Sequence, residues 1–129
     1  MNRMECLVGR GSRIGAGVLL VVASLLKVAF VHNQNSWLPI WAYYSGLVVE
    51  SLVGVGLIVT GARWPLLLGL LLAGMFLALN IVHIHDPRPC GCLGPWHSGG
   101  VTQWWYAGVV GACCAVALGC PGQGEANGE

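Results

Sequence analysis

"PLLLGLLLAGMFLALNIV", residues 65 to 82, carries no charged side chain in 18 positions. A run of that length approaches the roughly 20 residues an α-helix needs to cross a hydrocarbon core. Three more tracts read the same way: "IGAGVLLVVASLL" (14–26), "GLVVESLVGVGLIVTGA" (46–62) and "WWYAGVVGACCAVALG" (104–119). The pattern predicts four transmembrane helices near residues 13 to 31, 40 to 60, 64 to 84 and 103 to 120. The expected fold class is therefore an all-α integral membrane four-helix bundle spanning 13–120, preceded by a cytoplasmic N-terminal segment at 1–12. The polar stretch 121–129, ending "GQGEANGE", reads as a disordered tail, and the connections are too short to hold a second domain.

Composition agrees with this reading. Of the 129 residues 56% are hydrophobic and 9% are charged, against roughly 25% charged in an ordinary soluble domain. The net charge of +1 and the lack of a basic run give no reason to invoke nucleic acid. The opening "MNRMECLVGRGSR" followed by an apolar run resembles a signal peptide, but Lys27 and the absence of a small-x-small cleavage site argue against removal.

Orientation follows from the arginines. Arg3, Arg10 and Arg13 precede or open the first apolar tract and Arg63 lies between the second and third, whereas the other side has Arg88, next but one to Asp86. Cationic ends stay in the cytoplasm. The expectation is an inner-membrane, multi-pass protein with both termini cytoplasmic. Trp37, Trp41, Trp96, Trp104 and Trp105 then fall near the outer interface, where amphipathic rings are favoured. The loop from about 85 to 102 faces outward, into a compartment where disulfides persist.

That loop contains "RPCGCLGPW" (88–96), in which Gly91 separates Cys90 from Cys92. Cα atoms two residues apart lie roughly 5.5 to 7 Å from one another, at the edge of the disulfide range. A Cys-Gly-Cys disulfide would be strained, and strain favours a pair that gives its disulfide away over one that staples a fold. So short a loop would also remove little unfolded-chain entropy. Three readings stay open: a redox pair, a metal site using Cys90 and Cys92 with His97, His83 or His85, and an inert structural turn. Soft thiolates with imidazole would suit zinc or copper, although the spacing matches no standard zinc pattern. The other cysteines carry less. Cys113 and Cys114 are adjacent within an apolar tract, where core packing is expected, and Cys6 and Cys120 fall on the side where thiols stay reduced.

Ionisable groups inside apolar tracts are the next signal. Lys27 lies near the outer end of the first helix and Glu50 near the middle of the second; insertion of such groups costs roughly 2.5 to 3.5 kcal/mol. Lys27 has the option of snorkelling to the outer headgroups, and Glu50 is too deep for that. Pairing of the two would lock helices 1 and 2, while a free carboxylate could handle protons for thiol chemistry above it. Tyr43, Gly46, Glu50 and Gly54 recur at three- and four-residue steps, placing a phenol, a carboxylate and two small residues on one face. Asn80 and His83, with His85 beyond, gather polar groups just before the cysteines; an interhelical hydrogen bond is expected of Asn80, and an imidazolium here would lower a thiol pKa.

Together "SLLK" (24–27), "VESLVGVGL" (49–57), "CGCLG" (90–94) and "VTQWWYAG" (101–108) resemble the MauE family of methylamine-utilisation membrane proteins, within the broader DoxX-like group. The resemblance covers roughly residues 13 to 118, with Leu93 where phenylalanine is usual. It implies that Lys27, Glu50, Cys90, Cys92 and Gly94 are the positions of interest. It also implies a role in maturing a periplasmic, disulfide-rich methylamine dehydrogenase subunit beside a thioredoxin-like partner. The sequence-level expectation is a membrane protein supporting thiol-disulfide exchange through Cys90 and Cys92. A metal-handling protein and a non-catalytic assembly factor are the alternatives. No cofactor is specified.

Overall fold

The computed structural model describes residues 3–29, 39–82 and 99–120. They form four α-helices: α1 (Arg3–Ala29), α2 (Ile40–Val59), α3 (Trp64–Val82) and α4 (Gly99–Gly119). The chain is an all-α four-helix bundle, as its apolar tracts predict. Helix α1 begins at Arg3, well before residue 13. Hydropathy marks where hydrocarbon begins rather than where a helix does. Residues 3–12 contain no proline, so Gly9 and Gly11 weaken the helix without ending it, and Glu5 in the first turn complements the positive end of the helix dipole.

Local chemistry sets the ends of the middle helices. Pro39 lies in extended backbone before α2, and its carbonyl accepts the amides of Ala42 at 3.0 Å and Tyr43 at 3.1 Å. At the other end Thr60 closes the helix doubly on the Gly56 carbonyl, through its amide at 2.9 Å and its hydroxyl at 2.8 Å. Helix α3 then starts at Trp64, with Pro65 in the first turn, where a missing amide hydrogen breaks no helical bond.

The helices run alternately up and down. Gly17 of α1 faces Gly54 of α2: a Cβ on Gly17 would meet the Gly54 carbonyl oxygen at 2.8 Å, and a Cβ on Gly54 would meet that of Gly17 at 3.0 Å. Backbones approach this closely only where side chains are absent. Gly46 makes no such approach, since a Cβ there would meet nothing within 4 Å. The sequence face therefore contains one crossing glycine, not two. On the other side of the bundle Gly69 of α3 makes room for Cys114 of α4, whose Sγ would lie 2.9 Å from an added Cβ. Cys114 is fully buried and belongs to the core with Leu20, Leu57, Leu66 and Val110, in keeping with the expected packing role.

Packing is closest between α1 and α2, between α3 and α4, and between α1 and α4, and is sparsest between α2 and α3. Gly56 lies against Pro65, and Gly69 against Leu57 and Val53. At the end bearing Arg10 and Arg63, Cys120 Sγ meets the Glu5 carbonyl at 3.4 Å, joining the end of α4 to the start of α1. The outward surface is apolar: Leu25, Leu52 and Leu71 are each more than 60% exposed. Helices α1, α2 and α3 are long and apolar enough to cross a membrane, and α4 offers a shorter apolar stretch, Gln103–Gly119. With this outward face, these are the helices of a multi-pass integral membrane protein.

Candidate functional site: a buried ion pair joined to all four helices

Lys27 Nζ lies 2.5 Å from Glu50 Oε1 and 2.6 Å from Oε2, with the two side chains 5% and 0% exposed. Register explains how they meet. Since Gly17 faces Gly54, Glu50 stands level with Val21, and Lys27 is six residues, about 9 Å, farther along α1. Helical side chains lean toward their own N-terminus. In an antiparallel pair Lys27 therefore leans inward along α1 while Glu50 leans outward along α2, and their combined reach spans the gap. Lys27 points into the bundle; the alternative of snorkelling to the headgroups does not apply.

Aromatic residues enclose the pair. The Tyr43 hydroxyl donates to the Lys27 carbonyl at 2.8 Å, adding a second link between α1 and α2. Lys27 Nζ sits over the Phe76 ring of α3, 5.5 Å from its centroid, within cation–π range. Phe76 in turn meets Tyr106 of α4, with ring centroids 6.4 Å apart. One charged pair is thus connected to every helix of the bundle. Within so dry a setting, removal of either charge strands the other.

Sequence reasoning found Lys27, Glu50 and Tyr43, but not Phe76 or Tyr106. Both are apolar or aromatic residues in apolar tracts, and no spacing distinguishes them. Asn80 is buried, as its place near the polar end suggests, but its Nδ2 donates to the Phe76 carbonyl of its own helix at 2.7 Å, not across helices. A buried amide satisfies itself locally when the carbonyl one turn back is in reach.

Cys90, Cys92, His83, His85, His97 and Gly94 lie outside the described residues, as do Trp37 and Trp96. Among the described residues no group of three or more His, Cys, Asp or Glu side chains could hold a metal ion. Trp41 and Trp105 are 72% and 70% exposed at the end opposite Arg63. Trp104 and Trp105 border an apolar groove of about 490 Å³ along α4, with Gly108, Val109 and Ala112. Trp64, 54% exposed, marks the arginine-bearing end, so aromatic side chains stand at both ends of the bundle.

The fold and site define a small multi-pass membrane bundle built around a buried Lys–Glu pair. No protein-family model, curated protein or solved structure matches the chain.

Proposed function

We propose that the protein supports thiol-disulfide exchange at the outer face of a membrane, in the maturation of periplasmic proteins, as its resemblance to MauE-like proteins implies. Cys90 and Cys92 are the exchanging pair, and Lys27 with Glu50 forms the supporting ion pair. The observation that carries the reading is the position of that ion pair. Lys27 sits over Phe76, six residues or about 9 Å along α3 from Val82, the residue from which the chain departs toward Cys90. Helix α4 resumes at Gly99 at the same end of the bundle. A layer tied to all four helices thus lies toward the end of the bundle where α3 ends and α4 begins.

The chemistry is an exchange. A thiolate of a thioredoxin-like partner attacks one sulfur of a Cys90–Cys92 disulfide, the S–S bond breaks, and the displaced cysteine leaves as thiolate. The partner's second thiolate then attacks the mixed disulfide. The partner ends oxidised and the Cys90–Cys92 pair reduced, two electrons having passed to it; the reverse sequence runs by the same steps. The test is trapping. Replacing either cysteine by serine should accumulate a mixed disulfide with an oxidised thioredoxin-like protein, in metal-free buffer, because the remaining thiolate breaks the partner's disulfide and this chain has no second thiol there to release it. Stoichiometric zinc or copper that survives purification and disappears in Cys92→Ser would overturn the redox reading in favour of metal handling, because ligation requires both thiols reduced and deprotonated.

A further inference from the structure

Arg13 is a cation inside the bundle that meets no anion among the described residues. It is only 8% exposed, and its Nε and Nη1 are enclosed without a hydrogen-bond partner. Its helix position accounts for the burial: Arg13 is one turn before Gly17, which is pressed against Gly54, so it stands level with Ile58, near the end of α2. Leaning toward its own N-terminus, the side chain extends toward the level of the Thr60–Arg63 turn. Nearby, Arg10 and Arg63 are exposed, and Glu5 is the one acidic side chain among the described residues of this end.

A marker of membrane orientation has no need of burial; Arg10 and Arg63 serve that purpose from the surface. A guanidinium held between helices with two donor nitrogens unused is instead prepared for an acceptor. Its planar fork matches phosphate oxygens two at a time, and it remains charged in any environment. Basic pockets between transmembrane helices at headgroup depth are suited to phosphate headgroups. We propose that Arg13 anchors a phosphate-binding site at the arginine-bearing end of the bundle, and that its ligand is the phosphate of an anionic phospholipid, with Arg10 and Arg63 supplying the surrounding positive field.

The experiment is thermal unfolding of the full chain in a neutral detergent, with additions of phosphatidylglycerol, diacylglycerol of the same acyl chains, or inorganic phosphate. Phosphatidylglycerol should raise the midpoint by about 5 °C or more, and diacylglycerol should not. The shift should vanish in Arg13→Gln, shrink in Arg13→Lys, which keeps the charge and loses the fork, and largely persist in Arg63→Gln. An equal, Arg13-dependent shift with inorganic phosphate alone would uphold the phosphate site and overturn the lipid as its source. Equal shifts in the parent protein, Arg13→Gln and Arg13→Lys would overturn the site. Should Arg13→Gln not fold, the comparison of Arg13→Lys with the parent, together with phospholipid retained in native mass spectra of each, decides the matter: equal retention and equal shifts refute the proposal.

Discussion

Lys27 and Glu50 meet across six residues of helical offset because each side chain leans toward the other's level. Both oxygens of the carboxylate face one ammonium, at 2.5 and 2.6 Å, and neither group has an appreciable exposed surface. This arrangement fixes the axial register of α1 on α2, since sliding by one turn, about 5.4 Å, would separate the charges.

Glu50→Gln should therefore destabilise the bundle by about 3–5 kcal/mol by stranding the ammonium, and Lys27→Met should do comparable damage by stranding the carboxylate. The double variant should be more stable than either single one. Thermal unfolding in detergent measures the cycle, and simply additive losses would exclude the coupling. If the pair is scaffold alone, a folded Glu50→Gln protein exchanges thiols at Cys90 and Cys92 at the parent rate and with the parent pH profile; a slower rate with a changed profile would assign Glu50 a proton-handling role.

Two glycines of α2 should respond oppositely to alanine. At Gly54 a methyl group would lie 2.9 Å from Val21 Cγ2 and 3.0 Å from the Gly17 carbonyl, so Gly54→Ala should cost about 1–3 kcal/mol by overpacking. Gly46 is open, and Gly46→Ala should be neutral or stabilising by up to about 1 kcal/mol through helix propensity. Equal effects at both positions would refute the assigned crossing point.

At the α3–α4 contact the obstacle is a single sulfur. Gly69→Ala would place its methyl 2.9 Å from Cys114 Sγ and should destabilise by about 1–3 kcal/mol. Cys114→Ala removes that atom and should recover part of the loss. A double variant no better than the sum of its singles would mean the clash lies elsewhere.

Orientation has its own measurement. Cys6 is exposed at the arginine-bearing end. With that end in the cytoplasm, an impermeant thiol reagent on intact cells should label Cys90 or Cys92 after reduction and spare Cys6 until the membrane is opened. Labelling of Cys6 first would invert the topology.

The bundle and its central pair were legible for the same physical reason: hydrocarbon tolerates long apolar runs and penalises isolated charges, so Lys27 and Glu50 stand out against their surroundings. Legibility ended where the signal was geometric. Gly46 and Gly54 look alike in sequence, and only the crossing point tells them apart. Phe76 and Tyr106 are invisible within tracts of similar residues. Arg13 read as a charge ahead of the first span, because hydropathy does not reveal that α1 already begins at Arg3 and carries this side chain between its neighbours.

The uneven packing of the bundle gives its deformations a direction. The Thr60–Arg63 turn ties α2 to α3 at one end, where Gly56 rests on Pro65. Farther along, Phe76 of α3 turns to Lys27 and Tyr106, on the other two helices. The α1–α2 and α3–α4 hairpins are thus two leaves bound along the α1–α4 spine, with the opposite edge held by fewer contacts, from Gly56 on Pro65 to Gly69 on Leu57 and Val53. Any parting of that edge is a wedge that widens with distance from those contacts, toward the Ile40 end of α2 and the Val82 end of α3.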